Sequence, residues 1–427
     1  MIYLSKCIVG DDIMKTNFGF IGLGGRGQGM LREFLDVEGV RVTAVCDIYE
    51  DRAQKGKETV KEVSGVDADV YLDYKELLKR DDIKGVVICT TWITHAMIAV
   101  DAMKAGKHAA MEVGGAASVE ECWQMVRTSE ETGKICMIIE NCCYDRNEMA
   151  VYNMAKQGVF GEIVHIEGGY RHDLRSEICH GRENRHGRLA NFMNRNGELY
   201  PTHQLGPAAK LIDINRGNRF VSLCSMASKS RGLNEWLRKN EVEGYDITEY
   251  PFAEGDVVTT IIKCANGETI LLNHDCSLPR PYSRNYVVEG TKGVYQETKE
   301  GKSDIYLDKF GDEEPEWRCF QDELRKEYEH PLWKQYEEDG IRVGAHGGMD
   351  YLVLCAFAES AINDAEPPID VYDTAAWMSI TALSEQSVAM GGMPVPVPDF
   401  TNGKWINREP FRRGKFCLNA VCKEFFE

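Results

Sequence analysis

The chain has 427 residues, 43% of them apolar and 28% charged, with a formal net charge of −18. That is enough apolar material for more than one core, and so acidic a surface repels phosphate backbones, which excludes nucleic acid as a natural partner. No apolar run approaches the roughly 20 residues that a membrane helix needs, so no membrane partner is expected; Gly85–Cys89 and Ile135–Ile139 are strand-sized.

In chain order the pattern is strand, turn, helix, repeated. Asn17–Leu23 reads as a strand, Gly22 to Gly27 as a glycine-rich turn, Gln28–Leu35 as a helix and Val40–Cys46 as a strand ending at Asp47. A polar helix (Tyr49–Val63), a short strand near Val70, a helix (Tyr74–Lys79) and an apolar strand (Gly85–Cys89) follow. Then come a helix (His95–Ala105) stopped by Gly106, the strand His108–Val113, the helix Val119–Thr132 and the strand Ile135–Glu140. Such alternation gives an α/β fold, a Rossmann-type doubly wound parallel sheet, over residues 15–146.

From Asn147 the rhythm changes. After a helix (Asn147–Gln157), strand-like runs dominate: Ile163–Gly168, Phe220–Met226, Asp256–Cys264, Glu268–Asp275, Tyr286–Glu289 and Ser303–Asp308. Asn-Gly and Lys-Gly turns between them favour a mixed or antiparallel open sheet, so residues 147–427 read as an α+β domain. The helices Met349–Asn363 and Thr374–Ala389 return the chain, and a Pro-rich segment (Pro394–Pro398) leads into a polar, aromatic tail. Arg231–Tyr250 and Asp312–Ile341 read as charged, aromatic insertions that decorate the surface.

Fifteen cysteines, scattered through apparent strands, read as buried reduced thiols of a cytoplasmic protein. Cys142 and Cys143 lack a second pair at metal spacing and read as small residues in a turn. Met1–Ile13 carry neither a long apolar segment nor a twin arginine, so no export signal is expected; Met14 is an alternative start to Met1.

Gly22, Gly24 and Gly27 sit between a predicted strand and helix, and Asp47 follows Gly27 by 20 residues at the end of the next strand. This spacing is that of a dinucleotide cradle. Gly22 permits the tight turn, Gly24 lets backbone amides approach a pyrophosphate, Gly27 allows close packing, and the helix N-terminus stabilises the anion. Asp47 would accept ribose hydroxyls and repel a 2′-phosphate, which selects NAD over NADP. Ligands in such sheets lie at the carboxyl ends of the strands, where Trp92, His95, Glu112 and Asn141 stand.

These residues resemble the Gfo/Idh/MocA oxidoreductases. Glu140–Tyr144, Gly168–Arg175, Tyr200–Pro207, Pro279–Arg284 and His346–Tyr351 look more closely like glycoside hydrolase family 109, whose members are NAD-dependent α-N-acetylgalactosaminidases. The resemblance implies cofactor contacts at Gly25, Arg26, Asp47, Trp92, Ile93, Thr94, His95, Glu112, Val113, Asn141 and Tyr200. It implies carbohydrate contacts at Tyr170, Arg188, Tyr200, Pro201, Thr202, His203 and Tyr282. It also implies a redox-assisted glycosidase in which C3 of an N-acetylhexosaminide is transiently oxidised, C2 deprotonated, the C1 group eliminated, water added and C3 reduced again. Ordinary dehydrogenases of the superfamily carry Glu-Lys-Pro where this chain has Glu112-Val113-Gly114, so the usual lysine is absent. An NAD-dependent sugar or inositol dehydrogenase is the alternative, and a non-enzymatic sensor a third. Pairing into a homo-oligomer through an exposed sheet is a superfamily expectation.

Proline at a first helical position would put Tyr200 near the cap and His203 in the first turn, where the helix dipole keeps the imidazole neutral. His203 is then the candidate base, with Tyr200 relaying a proton or orienting the C3 hydroxyl. No metal site is expected: His165, His172, His180 and His186 form no compact pair, and Arg171, Arg175, Arg182, Arg185 and Arg188 crowd the same region. Glu167, Asp173 and Glu198 do not establish an opposed carboxylate pair and read as surface residues.

Overall fold

The computed structural model describes residues 15–240, 246–299, 302–321, 323–338, 345–410 and 414–419. The alternative starts and the expected signal-free segment lie outside them, as do parts of the two insertions and of the tail. The first layer is built from β1 (Thr16–Ile21), α1 (Gly25–Leu35), β2 (Val40–Cys46), α2 (Glu50–Ser64), β3 (Asp69–Tyr71), α3 (Tyr74–Leu78), β4 (Gly85–Ile88), α4 (Trp92–Lys104), β5 (His108–Met111), α5 (Val119–Thr132) and β6 (Cys136–Ile138). The strands pair in parallel in the order β3-β2-β1-β4-β5-β6, a doubly wound sheet whose order reverses between β1 and β4. β4, β5 and β6 are buried at every position, because helices cover both faces and neither can be polar. Helices α2 and α5 stop where the chain turns left-handed at Gly65 and Gly133.

After a single 3-10 turn at Asn141–Tyr144, α6 (Arg146–Lys156) is capped by Asp145, whose carboxylate accepts from the amides of Asn147 and Glu148. Then come β7 (Ile163–Arg171), α7 (Arg175–Cys179), α8 (Arg188–Asn194), α9 (Thr202–Leu211), β8 (Phe220–Ala227), α10 (Gly232–Asn240), β9 (Val258–Cys264), β10 (Thr269–Asp275), β11 (Val287–Gly290), β12 (Gly293–Lys299), β13 (Lys302–Leu307) and β14 (Arg318–Cys319). The chain closes with α11 (Glu323–Glu327), α12 (Pro331–Glu338), α13 (Met349–Asn363), α14 (Val371–Ala389) and β15 (Val395–Pro396). The second sheet has nine strands in the order β14-β13-β12-β11-β7-β10-β9-β8-β15. Only its β7–β10 pair is parallel, and that pairing sets His274 beside Tyr170. Burial alternates along β9 and β10, as it must when helices cover one face alone.

Helix α14 is buried on nearly every side because it lies between the two sheets, and its small hydroxyl residues bond to both of them. Its Thr374 hydroxyl accepts the amide of Ile138 on β6 at 3.0 Å, and its Ser387 hydroxyl accepts that of Ser225 on β8 at 2.8 Å. It also starts earlier than Thr374. Asp370 and Asp373 form a reciprocal capping box there, and Asp373 is itself bound by Lys210 and Arg216.

Several expectations need correction. The run between Glu289 and Ser303 holds an unexpected strand, β12, and the Pro-rich segment contributes β15, an edge strand where the missing amide of Pro396 costs no ladder bond. The insertions do not merely decorate the surface. Leu233 and Leu237 of one, and Phe320, Leu332, Trp333 and Tyr336 of the other, are buried. Glu198 is wholly buried too, because α14 covers it: the Thr381 hydroxyl donates to its carbonyl and the Ser384 hydroxyl accepts its amide.

Candidate functional site

At the switch point of the first sheet the chain turns tightly. Gly22 has φ +92°, and a Cβ there would lie 2.5 Å from the carbonyl of Cys89 at the end of β4. A Cβ on Gly27 would lie 2.1 Å from the Gly22 oxygen, so α1 rests directly on the turn. Gly24 and Gly25 have no such internal reason to be glycine: only the end of Arg52 comes within 4 Å of a Cβ at Gly24, and nothing does at Gly25. No side chain caps the helix at Gly24, so its first amides open onto a space suited to an anion. Asp47 closes one side. Its Oδ2 accepts the amide of Leu23 at 2.7 Å and its Oδ1 that of Tyr49 at 2.9 Å, and each oxygen keeps a second lone pair for a ribose hydroxyl.

Trp92 to His95 form the first turn of α4, which begins three residues before the expected His95. The Thr94 hydroxyl donates to the Thr91 carbonyl at 2.8 Å. Ile93 is exposed, while His95 is buried behind the loop with Nε2 3.0 Å from the Thr90 carbonyl. Burial pulls the His95 pKa down to about 4, so the ring is neutral and donates that bond. Gly114 has φ +150°, and a Cβ there would sit 2.5 Å from the Trp92 indole. The indole thus covers the third position of the motif whose lysine is missing.

Arg26 reaches across to the second half of the chain. Its Nη1 and Nη2 donate to Asp350 at 2.6 and 2.9 Å and its Nε to Glu112 at 2.7 Å. Asn141 donates to the same Asp350 at 2.7 Å, His346 Nδ1 lies 2.8 Å from it, and the other Glu112 oxygen accepts the amide of buried Val113. Burial alone would raise the Asp350 carboxyl, but bonds to His346 and Arg26 hold it well below the ordinary carboxylate range. Asp350 and His346 lie within the His346–Tyr351 motif, which by itself gives neither a role; their proximity to Arg26 in the fold does.

Beside this network the rings gather. Centroids of Tyr170 and Tyr200 are 4.5 Å apart, Tyr200 and Trp92 5.4 Å, Tyr200 and His203 4.9 Å, and Tyr170 and Tyr282 6.1 Å. The Arg188 guanidinium lies 5.1 Å from the Trp92 ring centre and 5.4 Å from that of Tyr200. Its Nη1 is buried with no hydrogen-bond partner among the described residues. His172, 3.2 Å from the Tyr170 hydroxyl, joins the group. Burial raises the Tyr170 phenol to about 12 and those of Tyr200 and Tyr282 further, so all three stay protonated at neutral pH. They can donate or accept hydrogen bonds and cannot serve as bases in their resting state.

Pro201 is the cap of α9 rather than its first residue, one step from expectation, and Thr202 and His203 fall in the first turn. His203 Nδ1 lies 2.7 Å from Oε1 of Glu140, which is wholly buried and also accepts the Cys142 amide. Burial works to raise the Glu140 carboxyl, but His203 outweighs it and holds the group below its ordinary value. An ionised Glu140 can only accept, so Nδ1 carries a proton, and in the neutral form of the ring the lone pair is on Nε2. Sequence reasoning missed Glu140 as a functional residue; its place at the carboxyl end of β6 was the available signal. Glu140, Cys142 and His203 are close enough to share a cation. Here the carboxylate and imidazole bond each other, and burial pushes the Cys142 thiol well up. Thus Tyr170, Arg188, Tyr200, His203, Tyr282 and Trp92 come together, whereas His95 lies behind them and Ile93 points outward.

Comparison with known proteins bears on this geometry. Residues 16–140 match the family described as oxidoreductase family, NAD-binding Rossmann fold, and residues 144–407 match the glycosyl hydrolase 109 C-terminal domain. A glycosyl hydrolase family 109 protein from Solibacter usitatus is 40% identical over 92% of this chain and 90% of its own. A Tannerella forsythia protein named alpha-N-acetylgalactosaminidase is 39% identical over 92% of this chain and 88% of its own. Among solved structures, a levoglucosan dehydrogenase in complex with NADH and levoglucosan has a TM-score of 0.69 at 18% identity, covering 90% of this chain and 100% of that one. That likeness carries the fold. The N-terminal sheet is therefore an NAD-binding Rossmann fold, and the chain belongs to glycosyl hydrolase family 109.

Proposed function

We propose that the protein is an NAD-dependent glycosidase of N-acetylhexosaminides, most of all α-N-acetylgalactosaminides, with residues 15–146 holding the cofactor and 147–427 the sugar. The observation that carries the reading is the Glu140–His203 pair, whose lone-pair nitrogen belongs to a cluster of three tyrosines beside the dinucleotide cradle. The relative from Tannerella forsythia, named for that activity, supports the substrate class.

Amides at the start of α1 would hold the pyrophosphate and Asp47 the ribose, and Trp92, Val113 and Asn141 would wall the nicotinamide. When bound, NAD supplies a reversible oxidation at a sugar carbon. Tyr200, kept protonated by burial, hydrogen-bonds the C3 oxygen and relays the C3 hydroxyl proton to solvent on oxidation, accepting it as it passes on its own phenol proton, and returns one by the same path on re-reduction. A C3 ketone acidifies the C2 proton, which His203 Nε2 accepts while Glu140 stabilises the imidazolium. Loss of the C1 group leaves a C1–C2 double bond; the imidazolium Nε2 proton exchanges with solvent, water adds its oxygen at C1 and gives up a proton to the departed alkoxide or phenolate, and His203 protonates C2. Arg188, with a buried unbonded Nη1, binds the acetamido carbonyl. Tyr170 and Tyr282 hold the ring.

Both the glycosidase and a net dehydrogenase must move the C3 hydroxyl proton without the lysine that Val113 replaces, and what favours the glycosidase is the Glu140–His203 pair, a base that net dehydrogenation does not need. A nearby carboxylate pair does not replace it: Glu167 and Asp173 are engaged by His165 and Arg175. The described cysteines are all free thiols, which favours a reducing compartment, the cytoplasm. The test is release of p-nitrophenol from p-nitrophenyl α-N-acetylgalactosaminide with absorbance at 340 nm followed together. Many turnovers with no NADH accumulation support the reading, and NADH accumulation with free sugar and no phenol supports a dehydrogenase.

A further inference from the structure

Behind the tyrosines lies a second set of buried ionisable groups that the proposed chemistry does not use. Glu198, Glu254 and His274 are each at most 1% exposed. His274 Nδ1 lies 3.1 Å from Glu254 Oε1, and the other Glu254 oxygen accepts the amide of Gly197 at 2.9 Å. Besides Glu254, His274 meets the Cys276 side chain, and the Glu198 carboxylate meets the backbone amide of Tyr200 itself. Ionisable groups buried with so few partners are costly unless the arrangement serves something.

The connections lead to the tyrosines. Gly197 and Glu198 immediately precede Leu199 and Tyr200, and this segment is pinned by Glu254, by the Ser384 hydroxyl and by the Thr381 hydroxyl. His274 is the strand neighbour of Tyr170. The Glu254–His274 pair therefore ties the segment that carries Tyr200 to the strand beside Tyr170, and these two rings are 4.5 Å apart. Gly197 has no room for a side chain, since a Cβ would lie 2.7 Å from both Ser384 and Glu385, so the segment cannot relax toward α14. Burial pushes the Glu198 carboxyl up to about 7; His274 opposes that push and Glu254 adds to it, which shows that the three groups sense one another.

We propose that Glu254 and His274, together with Glu198, are positioning residues that set the spacing of Tyr200 against Tyr170. They do not touch the sugar or the cofactor. The claim deepens the glycosidase reading and rests on it for its kinetic arm.

The experiment compares Glu254→Ala, Glu254→Gln and His274→Asn with the native holoenzyme. Glutamine keeps an oxygen for the Gly197 amide and offers an NH2 that His274 Nδ1 accepts once the ring is the neutral Nε2–H tautomer, so it keeps both hydrogen bonds while removing the charge pair. The expected result is a kcat for p-nitrophenol release down by about tenfold to a hundredfold in Glu254→Ala, with KM within about threefold. NAD content and far-UV circular dichroism stay native, and Glu254→Gln recovers most of the loss. A near-UV dichroism change at the Trp92–Tyr200–Tyr170 cluster should accompany the loss in Glu254→Ala and be absent in Glu254→Gln. Native kcat and native near-UV spectrum in a folded Glu254→Ala would overturn the proposal. So would a glutamine variant as damaged as alanine with KM, NAD content and folding all falling together, the mark of a merely structural role. If the native protein releases no phenol, the glycosidase reading fails by itself, and the near-UV comparison still decides the positioning claim.

Discussion

Glu140 Oε1 stands 2.7 Å from Nδ1 of His203, which fixes the imidazole as the Nδ1–H tautomer and leaves Nε2 as the proton acceptor. Glu140→Gln keeps the shape and removes the charge. The amide can present its NH2 to Nδ1 and turn the ring into the wrong tautomer. Turnover should fall by about a hundredfold to ten-thousandfold while NAD content is unchanged, and His203→Ala should fall at least as far. Steady-state kinetics with cofactor content measured on the same samples checks this; a Glu140→Gln enzyme within twofold of native activity, an order-of-magnitude threshold well below the loss of a base, contradicts it.

Gly114 lies under Trp92 with φ +150° and no room for a Cβ. Gly114→Ala must move the indole, which stacks on Tyr200 and lies beneath Arg188. The expected outcome is a kcat/KM lower by about tenfold to a hundredfold, with weaker NAD binding, since the same ring borders the proposed nicotinamide site. Titration of intrinsic tryptophan fluorescence with NAD measures the second effect.

A strap from the second half of the chain crosses the cradle. Arg185 is bidentate on Asp51 at 2.9 and 2.7 Å and lies over the Tyr49 ring, while Arg52 donates to the Asn184 carbonyl at 2.7 Å. These partners follow Asp47 directly, and Gly187 of the same strap meets Thr91 at the other side of the cradle. Arg185→Ala should speed NAD release by about threefold to tenfold, and high salt should do the same to the native protein and much less to the variant. Stopped-flow displacement of NAD reads both.

Two buried neutral histidines make folding sensitive to acid. Burial pulls His95 and His330 down to about 4, against 6.5 for a free imidazole. Between those values these two rings bind protons in the unfolded chain and not in the folded one, so their contribution to stability rises as pH increases from 4 to 6.5 and is flat above, opposed in part by Glu198, whose raised carboxyl contributes with the opposite sign. His95→Gln keeps a donor for the Thr90 carbonyl and removes one such proton, so the pH slope should shrink by about 1.4 kcal/mol per pH unit across that window. Urea midpoints at several pH values give the slope; an unchanged slope contradicts a neutral buried His95.

Much of this was legible in the sequence, for physical reasons. Strands covered by helices on both faces must be apolar throughout, so β4 and β5 announce themselves, and the spacing of Gly22, Gly27 and Asp47 reflects contacts that exist. Tyr200 and His203 fall in or beside the first turn of α9 as the proline suggested. What the sequence hid depends on contacts between distant segments. Glu140 looks like any strand-end carboxylate until His203, 63 positions later, packs on it. Asp350 is recognisable only through Arg26. The insertion at Asp312–Ile341 looked like surface because its charges mask Leu332 and Trp333, and β12 was missed because its half-exposed residues alternate weakly. The bond from buried His95 to the Thr90 carbonyl is likewise invisible in the sequence, because it depends on how the loop after β4 folds over the ring.

The central claim is proton removal at C2 by His203 with no net oxidation. The most direct measurement is hydrolysis of an α-N-acetylgalactosaminide in deuterium oxide, with the C2 position of released sugar read by proton NMR and absorbance at 340 nm recorded throughout. The account predicts deuterium at C2 in the product, no accumulating NADH, and loss of both exchange and release in His203→Ala. Released sugar that retains its C2 proton would contradict it.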